Sequence, residues 1–343
     1  MQVVFSEAQL SHDPQRFLVR GEWHGCPEKP ERAHVLRQAA AKAGHAVMAP
    51  ADFGAEPREA VHSRAYLNFL ESAHERWLAL AEAAPEVIPN VHPDRRHAYY
   101  PDSVVGQAGF HMADTACPIG AMTWPAAVAS ANSAVQATEL VLAGAPVAYA
   151  LCWPPGHHAF ADMAGGFCYL NNTAIAAAWA GRRHERVAVL DIDLHHGNGT
   201  QGIFYDRADV LTVSLHADPR VFYPYFWGHA EELGDGVGKG FNLNLPLALG
   251  TGDAGYLPVL DQGLAAIRAY APGLLVVALG LDAAGSDPLA GLSISTAGFA
   301  EIAKRIAALR LPTILSQEGG YLSDELGRNL VTFLSGFERH AAG

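Results

Sequence analysis

Val187-Ala188-Val189-Leu190-Asp191-Ile192-Asp193-Leu194-His195-His196-Gly197-Asn198-Gly199 opens as an unbroken apolar run and closes in acids, imidazoles and glycines. An apolar run with no polar alternation suits a strand covered on both faces, as in a parallel sheet flanked by helices. Its closing residues then lie at the carboxyl end of the strand, where open α/β sheets bind their ligands. Reading outward, Val147–Leu151, Val210–His216, Leu274–Asp282 and Pro312–Glu318 are runs of the same kind, and Met1–Phe5 reads as a first strand. Helical periodicity fills the gaps at Asn171–Ala180, Asp253–Tyr270, Ala297–Leu309 and Asp324–Gly336, and earlier at Pro30–Ala43, Pro57–Ala84 and Trp124–Ala143. Gly44, Gly144 and Gly181 stand where C-caps are expected. The alternation predicts βαβ units and one doubly wound α/β sheet, with no internal repeat and one domain over residues 1–343. Pro85–Gly106, with Arg95, Arg96, Tyr99 and Tyr100, reads as a long loop, a class of segment that tends to be functional.

Composition narrows the function. Half of the 343 residues are hydrophobic and 17% are charged, the balance of a globular chain with a large core. The net charge of −12 argues against nucleic acid as a partner and is compatible with a cationic substrate. No apolar run reaches the roughly 18 residues of a membrane span, and the first residues lack the regions of a signal peptide. Cys26, Cys117, Cys152 and Cys168 form no Cys-x-x-Cys pair, as expected of free thiols in a reducing cytoplasm.

The strand ends carry the chemistry. At a strand end, residues two apart point to the same side, so Asp193 and His195 can converge on one ion, with Asp282 from another strand as a third ligand. Three nitrogen and oxygen ligands leave a position open for water, the catalytic arrangement. An isolated Asp-x-His would read as a hydrogen-bonded strand cap; the other loaded strand ends favour a metal. Pro154-Pro155-Gly156 presents two histidines, His157 and His158, with Asp191 and Asn198 available to orient their rings. A single histidine there would read as a partly buried core residue, whereas the pair reads as general acid–base machinery. Gly319-Gly320-Tyr321 could aim a phenol at a carbonyl oxygen, although Gly-Gly-Tyr alone is a weak signal.

Gly156-His157-His158, Gly166-Phe167-Cys168-Tyr169-Leu170-Asn171-Asn172, the run from Asp191 to Thr200, Ser214-Leu215-His216 and Glu318-Gly319-Gly320-Tyr321 resemble the histone deacetylase family of metal-dependent amidohydrolases. The motifs spread over most of residues 20–335. The resemblance implies the arginase–deacetylase fold, a central, mostly parallel sheet of about eight strands with helices on both faces. It implies Zn²⁺, with Fe²⁺ as the alternative in the cell, at Asp193, His195 and Asp282. It implies His158 as general base and acid, His157 as its electrostatic partner bonded to Asp191, and Tyr321 on the oxyanion. It implies a structural K⁺ near Asp191, Ser214, Leu215 and the main chain of Asp193 and His195. A second monovalent cation would lie around Phe204, Arg207, Val210 and Phe241. Gly166, Phe167 and Tyr223 would wall a narrow tunnel with Leu289 near its mouth. Asn198 stands where many relatives have an aspartate facing the second histidine.

Within the family, the short first strand and the Arg95-Arg96 loop resemble the acetylpolyamine amidohydrolase branch, which implies a homodimer whose loop narrows the entrance. Asp114 falls where that branch has an acid for the distal ammonium of the substrate, while Val105 replaces a second acid of close relatives. The expected activity is deacetylation of acetylated polyamines or diamines, small cationic amines. The alternatives are an acetyl-lysine protein or peptide deacetylase, or a hydrolase of another small N-acyl amide. An arginase-like enzyme would need two Mn²⁺ and more aspartates, and would leave the tandem histidines unexplained. A binding protein on a degraded scaffold would be expected to have lost a ligand or Tyr321.

Overall fold

The apolar runs form the middle of one parallel sheet in the computed structural model, which describes residues 1–94 and 99–341. Arg95 and Arg96 lie outside the described residues. The strands are β1 (Gln2–Val4), β2 (Arg16–Val19), β3 (Glu22–Gly25), β4 (Ala46–Met48), β5 (Val147–Ala150), β6 (Val187–Asp191), β7 (Val210–Ala217), β8 (Asn242–Leu247), β9 (Leu274–Leu279) and β10 (Thr313–Gln317). The helices are α1 (Pro30–Lys42), α2 (Glu56–Glu59), α3 (Arg64–Leu78), α4 (Val104–His111), α5 (Thr123–Leu142), α6 (Asn172–Ala180), α7 (Asn198–Phe204), α8 (Asp253–Tyr270), α9 (Thr296–Ala307) and α10 (Leu326–Ala341). β2 and β3 make a separate antiparallel hairpin; the other strands form an eight-stranded parallel sheet in the order β4-β1-β5-β10-β9-β6-β7-β8.

Every residue of β5, β6, β9 and β10 is buried, which explains their lack of polar alternation. Leu190, Leu215, Val277 and Leu315 pack in one layer with Leu36 of α1, Leu260 of α8, Ile302 of α9 and Phe333 of α10. Val189, Val276, Ile314 and Ala148 pack in the other with Leu70 of α3, Val135 of α5 and Ile175 of α6. Each such Val or Leu contributes about 1.5–3 kcal/mol by leaving water, so polar chemistry is confined to the strand ends. Strand order then decides the site. β5, β10, β9 and β6 are consecutive neighbours, so the four strands whose ends carry histidines, Tyr321, Asp282 and Asp193 meet at one edge.

The structure departs from the sequence reading in three places. Pro57–Ala84 is not one helix: the chain breaks between α2 and α3, where Ser63 N–H donates to Ala161 O at 2.8 Å and His62 Nδ1 lies 3.0 Å from Phe160 O. These tertiary bonds outcompete a helix-favouring stretch, and the Ser63 side chain caps α3. β4, β8, the β2–β3 hairpin, α4 and α7 were not evident from apolar periodicity. Gly44 and Gly144 take the left-handed conformation of a C-cap, at φ of 90° and 107°, whereas Gly181, at −58°, stays helical. No helix among the described residues is long and apolar enough to cross a membrane, and all four cysteines are free and buried.

Candidate active site

Beyond β6 the chain stays pinned to the sheet by Ile192 N–H donating to Ala278 O at 3.1 Å, and this aims Asp193 and His195 towards the end of β9. There they meet Asp282: ligand atoms of the three residues all lie within 4.8 Å of one another. His195 Nδ1 is 3.2 Å from Asp193 Oδ1 and 3.1 Å from Asp282 Oδ2. The other oxygens are held by main chain, Asp193 Oδ2 by Gly319 N–H at 2.7 Å and Asp282 Oδ1 by Leu194 N–H at 3.0 Å. Gly319 is required for this approach, because a Cβ there would lie 2.2 Å from Asp282 Oδ2 and 2.6 Å from Asp193 Oδ2. Burial pushes the Asp282 carboxyl up to about 7, and the Asp193 charge adds to the shift. Two buried carboxylates converge on one half-buried imidazole, and such a cluster of acceptors suits a cation. The residues present therefore fit a three-ligand metal site with an open position.

The tandem histidines lie beside this cluster. Glu318, at the end of β10, accepts from Gly156 N–H at 2.6 Å, His157 N–H at 3.0 Å and the Thr173 hydroxyl at 2.6 Å, and so fixes the loop that presents them. Glu318 also forms a close group with His157 and Cys168, but these three bonds occupy its oxygens and make it a brace. His157 Nδ1 is 2.9 Å from Asp191 Oδ2 and His158 Nδ1 is 2.6 Å from Asn198 Oδ1, with the two ring centroids 4.1 Å apart. Burial alone would lower the His157 pKa, but the charges of Asp191 and Asp193 outweigh it and hold the imidazolium up to about 10. His158 goes the other way, driven well below its ordinary value by burial and then by the positive charges of His157 and His195. One ring is thus held charged and the other neutral, a division suited to electrostatic and general-base roles.

Tyr321 borders the same cavity, its ring centroid 6.0 Å from that of Phe167. Its main-chain N–H donates to Asp287 Oδ2 at 2.7 Å, and Asp287 Oδ1 also accepts from Leu289 N–H at 2.9 Å. Arg32, fully buried on α1 and paired with Glu28, stacks its guanidinium 4.6 Å from the Tyr321 ring centroid and donates to Glu318 O at 2.8 Å and to Gly320 O. Glu28, Arg32, Asp287 and Glu318 were missed as site residues. Glu28 and Arg32 are spaced as an ordinary surface ion pair along a helix, and only tertiary structure shows them inside.

The cavity measures about 380 Å³ and contains all three candidate metal ligands, both histidines and Tyr321. Gly166, Phe167, Tyr223 and Leu289 line it. Tyr223 stands edge-on to His158 at 5.0 Å, and Gly166 takes a left-handed φ of 51° where a Cβ would meet His158 Cδ2 at 2.5 Å. Phe222, stacked at 5.3 Å on His195, and Phe17 of β2, 5.6 Å from Phe167, complete the aromatic surround without having been foreseen. Asp114 also lines the cavity, but its carboxylate is engaged by the Tyr223 hydroxyl at 2.6 Å, Ala116 N–H at 2.8 Å and Gly166 N–H at 3.1 Å. Val105 lies half-buried in the first turn of α4 and is not part of the lining.

Residues 26–337 match the histone deacetylase domain. The chain belongs to the histone deacetylase family. Among members of the family it is 46% identical over 338 residues to the acetylpolyamine amidohydrolase of Burkholderia pseudomallei, a match covering 98% of each chain. It is 39% identical over 339 residues to the acetylpolyamine amidohydrolase of Mycoplana ramosa, covering 98% of this chain and 99% of the relative. The crystal structure of the acetylpolyamine aminohydrolase from Burkholderia pseudomallei superposes with a TM-score of 0.96 over 98% of both chains. The eight-stranded parallel sheet is that of the arginase–deacetylase fold, and the histone deacetylase family implies a catalytic metal.

Proposed function

We propose that the chain is a zinc-dependent amidohydrolase that removes the acetyl group from acetylated polyamines or diamines. The observation that carries this reading is the convergence of Asp193, His195 and Asp282, within 4.8 Å, in a cavity that also holds His157, His158 and Tyr321. Zn²⁺, or Fe²⁺ in the cell, would supply Lewis acidity toward the acyl oxygen and toward water. Asn198 Oδ1 takes the Nδ1–H of His158, which leaves Nε2 as the nitrogen free to accept the proton of an attacking water. The same nitrogen then returns that proton to the departing amine. His157, charged and held by Asp191, stabilises negative charge as it develops on the substrate. The Tyr321 hydroxyl donates to the forming oxyanion, with its ring held by Arg32 and its N–H by Asp287. Acetate and the free amine leave.

A structural K⁺ is assigned to Asp191, Ser214 and Leu215 with the main chain of Asp193 and His195; the pairing of Asp191 with Ser214 across β6 and β7 supports it. A second monovalent cation is assigned around Phe204, Arg207, Val210 and Phe241, where Phe204 O and Phe241 O already accept one N–H each, at 3.0 Å. A homodimer that restricts the cavity mouth belongs to the same reading. The test is a substrate panel. N-acetylputrescine and N-acetylcadaverine should exceed an acetyl-lysine histone-tail peptide in kcat/KM by at least about tenfold, a difference of ~1.4 kcal/mol. A preference for the peptide by a monomeric protein would place the chain with the protein deacetylases instead.

A further inference from the structure

The rim of the cavity includes a cation that the chemistry above does not use. β2 and β3 pair from Arg16 opposite Gly25 to Val19 opposite Glu22, and a two-residue turn closes them with φ of 50° at Arg20 and 84° at Gly21. Such turns match strand twist but favour Asn, Asp or Gly at both central positions, so an arginine is an uncommon first residue on backbone grounds. The hairpin is anchored beside the site: the Thr115 hydroxyl donates to Leu18 O at 3.3 Å and Cys26 N–H to Gln15 O at 3.1 Å. Arg20 is thereby brought to the cavity lining with Asp114, Thr115 and Tyr225. It is exposed, and among the described residues no hydrogen bond or ion pair engages its guanidinium. Asp114, in contrast, already accepts from Tyr223, Ala116 and Gly166. The mouth thus offers one carboxylate with most of its acceptor capacity spent and one guanidinium with its donors free.

We propose that this mouth reads a distal group bearing both charges, so that the chain also deacetylates Nω-acetyl diamino acids in their free form. Arg20 donates to the substrate carboxylate, and Asp114 attracts the neighbouring ammonium through its charge. A simple acetylated diamine meets the same Asp114 but also the like charge of Arg20. The step is the same hydrolysis: water adds its oxygen to the acyl carbon, the C–N bond breaks, a proton passes to nitrogen, and acetate and the free diamino acid result. The inference rests on the amidohydrolase reading above.

Nε-acetyl-lysine and N-acetylcadaverine provide the test, because they differ only in the α-carboxylate. Arg20→Asn removes the charge while keeping a residue that tolerates the left-handed backbone, and Arg20→Glu reverses it. Arg20→Asn should lower kcat/KM for Nε-acetyl-lysine roughly tenfold, mainly through KM, as expected for one lost charge-assisted contact. It should raise kcat/KM for N-acetylcadaverine about twofold by removing repulsion, and Arg20→Glu should widen the gap. Both effects should shrink as salt is raised. The proposal is overturned if the variants move both substrates by the same factor, if neither moves, or if wild type hydrolyses N-acetylcadaverine but not Nε-acetyl-lysine. If wild type hydrolyses neither, the amidohydrolase reading falls and takes this one with it.

Discussion

Tyr321→Phe deletes one oxygen and leaves its surroundings in place, which makes its effect calculable. The ring would still stack 4.6 Å from the Arg32 guanidinium, and the main-chain N–H would still donate to Asp287 at 2.7 Å. Burial and then the charge of Glu28 hold the Tyr321 phenol well above its ordinary pKa, so it remains a proton donor across the working pH range. What is lost is one donor to a charge that grows during the reaction. Such a donor contributes about 2.7–4 kcal/mol, a factor of roughly 10²–10³ in rate. The loss should fall on kcat with KM little changed, because the bond strengthens only as charge develops. The assay is amine release from N-acetylcadaverine, run beside metal content and a urea midpoint. Metal content should be unchanged, and any loss of stability should stay below about 1.5 kcal/mol, the net contribution of a single hydrogen bond. A variant with normal metal content and kcat within about threefold of wild type would refute the role of the phenol.

Three other perturbations reach different parts of the site. Asn198→Asp places a charge beside His158 Nδ1, at a distance now 2.6 Å, and should raise a pKa that burial and then the His157 charge hold well below 6.5. Wild-type His158 is therefore a neutral base down to acid pH, and the acid limb of kcat/KM should move to higher pH in the variant; a stationary limb would remove Asn198 from the account. Asp114→Asn turns three charge-assisted bonds neutral, so N-acetylpentylamine should lose roughly tenfold in kcat/KM and N-acetylcadaverine several-fold more, whereas equal losses would make Asp114 purely a positioning residue. Gly319→Ala forces a methyl to within 2.2 Å of Asp282 Oδ2 and should weaken metal binding by about 10–100-fold in a chelator competition; unaltered affinity would show that the carboxylates are not the ligands.

Much of the site was legible because a buried parallel strand has no use for polar residues except at its end. Asp193, Asp282, His157, His158 and Tyr321 announced themselves by following apolar runs. Their adjacency was not legible, since β10 enters between β5 and β9 long after both histidines have passed in the chain. β8 was hidden for a physical reason: Asn242 and Asn244 interrupt its apolar pattern, yet both are buried and donate to Gln201 Oε1, at 3.0 and 2.8 Å. The β2–β3 hairpin has short, largely exposed strands and an Arg-Gly turn, so neither periodicity nor turn chemistry marked it. Arg32 was invisible for the opposite reason, because a charged residue in an amphipathic helix is expected at the surface.

The central claim is that one divalent ion held by Asp193, His195 and Asp282 is indispensable to amide hydrolysis. The most direct measurement is a Zn²⁺ titration of chelator-stripped protein, following bound metal and N-acetylcadaverine hydrolysis in the same samples. Activity should be absent without metal and rise linearly to a plateau at one ion per chain, and Asp193→Ala should neither bind that ion nor turn over substrate. Hydrolysis at the normal rate by metal-free protein, or by metal-free Asp193→Ala, would contradict the account.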